Sequence, residues 1–245
     1  KVVIEYGMLT EDKFYDKAES FNLYPTVDDK YFTYEELEKK IKKLQTDKDG
    51  NLIILYAQNK DEQYTYIESA KEKGYEVLLL DSPIIPHLMQ KLESKKEKIK
   101  FSRVDSDTLE NLIKKDEEVI SKLTDEEKEK LKPMIETAVE NEKYTVQLEA
   151  LDSNSMPFML AQPEFMRRMK EMQQTGGGAM GNLPDMYSLI VNTNHELVGK
   201  ILNTRTEKKR NSLIKQSIDL AKLSQNNLTG KDLTEFINRS IDLIK

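Results

Sequence analysis

Cysteine and tryptophan are absent from this chain, and histidine is limited to His87 and His195. Without cysteine there are no disulfides, thiol nucleophiles or zinc–thiolate sites. Two histidines leave a histidine-rich metal centre or a histidine-based triad little to work with. Long apolar runs are missing too: nothing approaches the ~20 residues that a helix needs to cross a bilayer. Nor is there a basic surplus. Lys+Arg of 38 against Asp+Glu of 44 leaves a net charge of −6. A mildly acidic chain lacks the basic face that displaces counterions from nucleic acid, so neither nucleic acid nor membrane is an expected partner.

What is present is charge on a chain of ordinary size. Of the 245 residues, 33% are charged and 38% hydrophobic, enough to build a core in one large domain or two smaller ones. The opening KVVIEYG carries neither an initiator methionine nor the pattern of a signal peptide, and reads as the start of an excised piece.

Residues 1–105 predict alternating helices and strands, an α/β segment. Thr33 and Glu36 form a capping box ahead of Tyr34, Leu37, Ile41 and Leu44, which repeat at helical spacing. The run Asn51–Ala57 is apolar on both faces, as suits a parallel strand covered on each side. Tyr64, Ile67 and Ala70 mark a helix closed by Gly74. A second strand, Glu76–Leu80, ends at Asp81-Ser-Pro83. This is a strand–helix–strand unit of about thirty residues. A short helix near Ile84–Leu92 and a strand near Lys98–Val104 complete a small three-layer arrangement.

Residues 106–245 predict an α+β domain. Thr124 and Glu127 form a second capping box, and Pro133 predicts either two short helices or one kinked helix between Ser106 and Asn141. Lys143–Leu151 alternates as a strand, with Ser188–Val191 as its partner. Gly176, Gly177, Gly178 and Gly181 supply 4 of the 9 glycines and predict a flexible loop between these strands. Two helices close the chain, near Glu207–Ser224 and Lys231–Ile244.

Candidate chemistry is thin. Asp81 stands where open α/β sheets place ligand-binding acids, yet no glycine-rich phosphate loop and no second acid accompany it. His87 follows Pro86 on an apolar helix. His195 lies in Asn192–Val198, where Asn192 or Asn194 can cap the next helix. No nucleophile elbow or Walker loop is present; the residues point to no enzyme and no metal site.

Methionine carries more signal. Seven of the ten fall between residues 156 and 186: Met156, Met159, Met166, Met169, Met172, Met180 and Met186. Beyond Pro163, Phe165, Met166, Met169 and Met172 share one helix face, with Arg167, Arg168, Lys170 and Glu171 opposite. Such a helix is either core-facing or an adaptable binding surface, since methionine is flexible and polarisable. Met156, Phe158 and Met159 extend the candidate surface. In the last two helices, Leu233, Phe236, Ile237, Ile241 and Ile244 make one stripe; Ile214, Ile218, Leu220, Ala221 and Leu223 make another. These predict either docking on the chain's own domain or two-fold pairing into a four-helix bundle.

The order of these features resembles a known family. The run Asn51–Ala57, the helix ending Lys73-Gly74, and Tyr75-Glu-Val-Leu-Leu-Leu-Asp-Ser-Pro83 resemble the late middle domain of heat-shock protein 90 chaperones. Asn192-Thr-Asn-His-Glu-Leu-Val198 resembles the strand-to-helix segment of their C-terminal domain. The ending Asp-Leu-Ile-Lys245 has no charged pentapeptide, which points to the bacterial, HtpG-type branch; Ile84-Ile-Pro86 departs from the acid-containing turn usual there.

The resemblance implies the end of a middle domain over 1–105 and a C-terminal dimerisation domain over 106–245, with the last two helices forming the dimer bundle. It implies a helix at Met166–Met172 that offers apolar surface to unfolded clients. Co-chaperones are further partners, and the cytoplasm is the expected compartment. ATP and magnesium belong to the parent protein's upstream domain, so no cofactor and no ATP hydrolysis are expected of this stretch. Two alternatives remain: an α/β signalling or ligand-binding domain acting through Asp81, or a purely structural dimer module.

Overall fold

A computed structural model of the chain describes residues 2–116, 119–139, 143–176 and 186–244. Its elements in chain order begin with α1 (Val2–Thr10), α2 (Asp12–Ala18), β1 (Tyr24–Pro25), β2 (Tyr31–Phe32) and α3 (Tyr34–Gln45). Then come β3 (Leu52–Ala57), α4 (Tyr64–Glu72), β4 (Val77–Leu79), α5 (Ile85–Lys95), β5 (Ile99–Arg103) and α6 (Leu109–Leu112). After these follow α7 (Asp125–Glu136), β6 (Tyr144–Glu149), β7 (Phe158–Ala161), α8 (Glu164–Gly176) and β8 (Tyr187–Asn192). The chain closes with α9 (Glu196–Asn203), α10 (Glu207–Ser224) and α11 (Gly230–Ile244).

The contacts divide the chain into two compact units. The first takes in the residues up to Asp116 together with α8, and the second takes in β6, β7 and α7 with everything from β8 onward. This division differs from a boundary at 105/106 in two ways: it lies further along the chain, and it assigns α8 to the first unit rather than the second.

In the first unit β3 is the centre of a three-stranded sheet of order β4-β3-β5, parallel throughout, with Leu55 opposite Val77 and Ile54 opposite Phe101. Every residue of β3 is buried, as expected of a parallel strand covered on both faces. Leu37 and Ile41 of α3 and Leu88, Met89 and Leu92 of α5 pack into the same core as Ile54 and Tyr56. The capping box at Thr33 forms as predicted, with Glu36 N–H donating to the Thr33 hydroxyl and Thr33 N–H to the Glu36 carboxylate at 2.9 Å. Gly74 follows α4 at φ +76°, a left-handed conformation that side chains with a Cβ resist.

In the second unit the sheet order is β6-β8-β7, with β6 parallel to β8 and β7 antiparallel to it. The pairing of Tyr144 with Tyr187 bears out the expected strand partnership. β7 itself was not foreseen, because four residues between turns are too short to show a period. Leu131, Ile135, Val146, Phe158, Leu189, Val198 and Ile214 build the core below this sheet. α7 runs through Pro133 instead of breaking or splitting there. Leu131 and Ile135, both fully buried, hold the turn around the proline, and Thr137 N–H donates to the Pro133 carbonyl at 3.1 Å. The glycine loop lies mostly outside the described residues, which include only Gly176 of its four glycines.

The turn after β8 is held by amides. Leu151 N–H (3.2 Å) and Asn194 N–H (3.0 Å) donate to the Asn192 carboxamide oxygen, and its nitrogen donates to the Asp152 carbonyl at 2.8 Å. Neither Asn192 nor Asn194 caps α9. That role falls to His195, whose Nδ1 accepts from Leu197 N–H at 3.0 Å. Because Asn192 is fully buried, Asn192→Ala strands the buried N–H groups of Leu151 and Asn194 away from water. We expect it to destabilise the second unit by about 3 kcal/mol. The exposed Asn203, whose side chain donates to the Gly199 carbonyl one turn back, should cost under about 0.5 kcal/mol when replaced by Ala. Urea unfolding of both variants checks the contrast.

Candidate functional site

The helix α8 begins directly after Pro163 and is anchored by its charged side. β5 is an edge strand, so on its open side the backbone groups need partners from elsewhere. Side chains supply them. Arg103 N–H donates to the Glu164 carboxylate at 3.3 Å, Arg168 donates to the Phe101 carbonyl at 2.5 Å, and Phe101 N–H donates to Glu93 of α5 at 2.7 Å. Arg168 also makes a two-pronged contact with Glu93, at 2.8 and 3.2 Å, and donates through Nε to Glu164 at 2.7 Å.

At the centre of this junction sits Arg167, only 3% exposed. It donates to Glu164 at 2.6 Å, to Glu171 and to the Tyr56 hydroxyl. Tyr56 in turn donates to Glu164 at 2.8 Å, so its hydroxyl is both acceptor and donor. Further along, Arg103 pairs with Asp105 at 2.5 and 3.0 Å and donates to Gln58 at 3.1 Å, while Gln63 donates to Asp105 at 2.8 Å. A buried guanidinium is tolerated only when paired and hydrogen-bonded, and this one is met by two carboxylates and a phenol.

The charges depend on one another. Burial alone would raise the Glu164 carboxyl, but Arg167 and Arg168 outweigh it, and the group is held below its usual value. Burial, with Glu164 alongside, pushes the Tyr56 hydroxyl well up, so it stays protonated and able to donate. Among the described side chains of α8, Arg167 is the one that is buried; Met166, Met169 and Met172 are half-buried and Phe165 is 72% exposed. The charged face is therefore the docked one. An amphipathic helix normally does the reverse.

The remaining candidate client-binding residues lie in the second unit. Phe158 is buried in the core under the second sheet, which removes it from any binding surface, and Met159 packs against Leu151, Ala161 and Ile190. Met156 is exposed in the turn before β7. Met180 lies outside the described residues. Reading the sequence missed Tyr56, Glu93, Glu164, Arg167 and Arg168 as a set. One clue was available: a tyrosine in an otherwise aliphatic buried strand needs a partner for its hydroxyl.

The C-terminal helices split the candidate dimer residues into two groups. Ile214, Ile218 and Ala221 of α10 are buried in their own unit's core, so they are not free to meet a second chain. Leu220 and Leu223 of α10 and Ile237 and Ile241 of α11 are exposed, while Leu233 and Phe236 are half-buried. The Ile244 side chain lies outside the described residues. Between these helices run polar ties: Arg239 to the buried Asp219 and, at 3.1 Å, to Gln216; Gln216 to Ser240 at 2.9 Å; and Lys215 to Glu235 at 3.2 Å. α11 is thus pinned through polar contacts that leave apolar side chains facing outward.

Asp81 is exposed in the turn after β4, and His87 is half-buried on α5. Among the described residues no group of three or more histidine, aspartate or glutamate side chains converges as a metal site would require, and no helix is long and apolar enough to cross a membrane.

Arg167→Met leaves Glu164 and Tyr56 buried without their central donor. We expect it to weaken docking of α8 by about 3 kcal/mol, read as faster amide exchange over Glu164–Gly176 with β3 unchanged. A pH series gives a second check. A carboxyl lowered in the folded state stabilises above its ordinary value of 4.5 and loses that contribution as pH falls through the lowered folded-state value. Protection of α8 should therefore be level above about pH 5 and decline only on further acidification.

No protein-family model matches the chain. Among curated proteins it is 37% identical over 313 residues to the "Chaperone protein HtpG" of Bacteroides thetaiotaomicron, an alignment covering 100% of this chain and 46% of that relative. The protein of the same name from Bacteroides fragilis is also 37% identical with the same coverage. That of Porphyromonas gingivalis is 40% identical over 228 residues, covering 91% of this chain and 33% of the relative. The chain thus spans less than half the length of these relatives. Matching a part of such proteins along its whole length, it belongs to the HtpG-type branch of the heat-shock protein 90 family.

Proposed function

We propose that this chain acts as part of a molecular chaperone, pairing with a second copy through α10 and α11 and offering α8 to partly unfolded proteins. The observation that carries this reading is the inverted docking of α8. Its ionic face is committed to β5 and α5, which leaves Phe165 exposed and Met166, Met169 and Met172 half-buried on the other side. Unbranched thioether side chains fit many shapes of apolar segment. Each such contact contributes only about 1.5–3 kcal/mol even when fully buried, so capture would be weak and tolerant of client sequence.

The exposed Leu220, Leu223, Ile237 and Ile241 support the pairing half of the proposal. Helical hairpins of this kind cover such stripes by forming a four-helix bundle. A cytoplasmic place of action and encounters with co-chaperones belong to the same reading. ATP and magnesium are assigned to the parent protein, and we place no nucleotide chemistry on the residues of this stretch; stoichiometric ATP turnover by the chain alone would contradict that.

Two measurements test the proposal. Light scattering should give the mass of two chains at micromolar concentration, reverting to one in Ile237→Lys/Ile241→Lys. In Met166→Gln/Met169→Gln/Met172→Gln, helix propensity is kept while the apolar face is lost. That variant should melt within about 3 °C of the parent yet suppress aggregation of a heat-denatured test protein several-fold less well. A single-chain mass, together with undiminished suppression by the glutamine variant, would overturn the reading.

A further inference from the structure

The sequence contains no cysteine, so every oxidisable sulfur in this chain is a thioether. Thioethers oxidise reversibly to sulfoxides, which turns a flexible apolar side chain into a polar one. Their distribution in the first unit is uneven. Met8 and Met89 are at 0% and 1% exposure, sealed in its core. Met166, Met169 and Met172 occupy successive turns of α8 and are half-buried, beside the exposed Phe165.

We propose that Met166, Met169 and Met172 are sulfoxidation sites at which hydroperoxides weaken the capture of apolar segments by α8. The inference rests on reading α8 as the client-binding face. In the step itself, a lone pair on the thioether sulfur attacks the terminal oxygen of the hydroperoxide. The O–O bond breaks and an S–O bond forms. Sulfur loses two electrons, and the proton of the transferred oxygen passes to the leaving oxygen, so the hydroperoxide is reduced to the alcohol, or to water in the case of hydrogen peroxide.

The way α8 is held makes the consequence local. Its anchor is the opposite, ionic face, where Arg167 and Arg168 meet Glu164, Glu93 and Tyr56. None of these groups changes on oxidation, so the helix stays seated. What changes is the outward face: a sulfoxide oxygen covered by an apolar client segment loses its water without gaining a donor, which costs free energy. An apolar strip that was tolerant of many partners becomes one that disfavours burial.

The test uses the full chain, dilute hydrogen peroxide and peptide mass mapping over time. Met166, Met169 and Met172 should become sulfoxides at least roughly tenfold faster than Met8 and Met89, which react only when the core opens. Binding of unfolded, reduced and carboxymethylated lactalbumin, followed by fluorescence anisotropy, should weaken several-fold as those sulfoxides accumulate. Circular dichroism should show the helix content retained. Met166→Leu/Met169→Leu/Met172→Leu, whatever its starting affinity, should keep that affinity after peroxide. Equal oxidation rates on α8 and in the core, sulfoxides without weakened binding, or equal loss in the leucine variant would each overturn the proposal. If the untreated chain binds no lactalbumin at all, the client-binding reading fails instead, while the mass map still decides where oxidation occurs.

Discussion

The open side of β5 is the constraint from which the arrangement of the first unit follows. An edge strand has N–H and C=O groups that its sheet does not satisfy, and they must find partners in protein or water. Here Glu93, Glu164 and Arg168 supply them at Phe101 and Arg103. Side chains that reach backbone groups in this way have to be polar and long. A helix that covers such an edge therefore turns its charged face inward, and its apolar face is left over.

Arg167 extends that logic below the edge. Its guanidinium enters the unit to reach Tyr56 on the central strand β3, with Glu164 and Glu171 neutralising it. A buried ion pair is weak evidence for stability, since an apolar replacement of similar volume can match it. Its directionality is a different matter. Guanidinium, carboxylate and phenol fit together in one orientation, so the network specifies which face of α8 meets the sheet. The contrast with α10 is instructive: that helix buries Ile214, Ile218 and Ala221 against its own sheet in the ordinary way. On α8 and on the α10–α11 hairpin alike, polar ties hold an element that leaves apolar side chains outward. The same physics connects the two halves of the proposed function.

Local features of the chain were largely legible. Both capping boxes involve residues three apart, so the reciprocal hydrogen bonds follow from spacing alone. The buried strands β3 and β4 show as apolar runs between turn signals, and the span of α10 is fully readable from its periodicity. Misreadings arose where two local signals compete or where a segment is short. Asn192, Asn194 and His195 are all able to cap α9; the carboxamides went instead to the crossing loops at Leu151, Asp152 and Ile120, leaving the imidazole to cap. Pro133 removes one helical hydrogen bond, but burial of Leu131 and Ile135 outweighs it. β7 had too few residues to display alternation, and so Phe158, a core side chain, read as surface.

From the sequence alone came the inventory: an α/β stretch and an α+β stretch, two apolar hairpin helices, a methionine-bearing helix with one charged and one apolar face, and a resemblance that the curated relatives bear out. Periodicity and capping are interactions between residues a few positions apart, which is why they can be read along the chain. Which face of α8 is docked depended on partners more than sixty residues away, the Arg103 amide, the Phe101 carbonyl and the Tyr56 hydroxyl. A helical pattern records that two faces differ; the unsatisfied hydrogen-bonding groups of a distant strand edge decide which one turns inward.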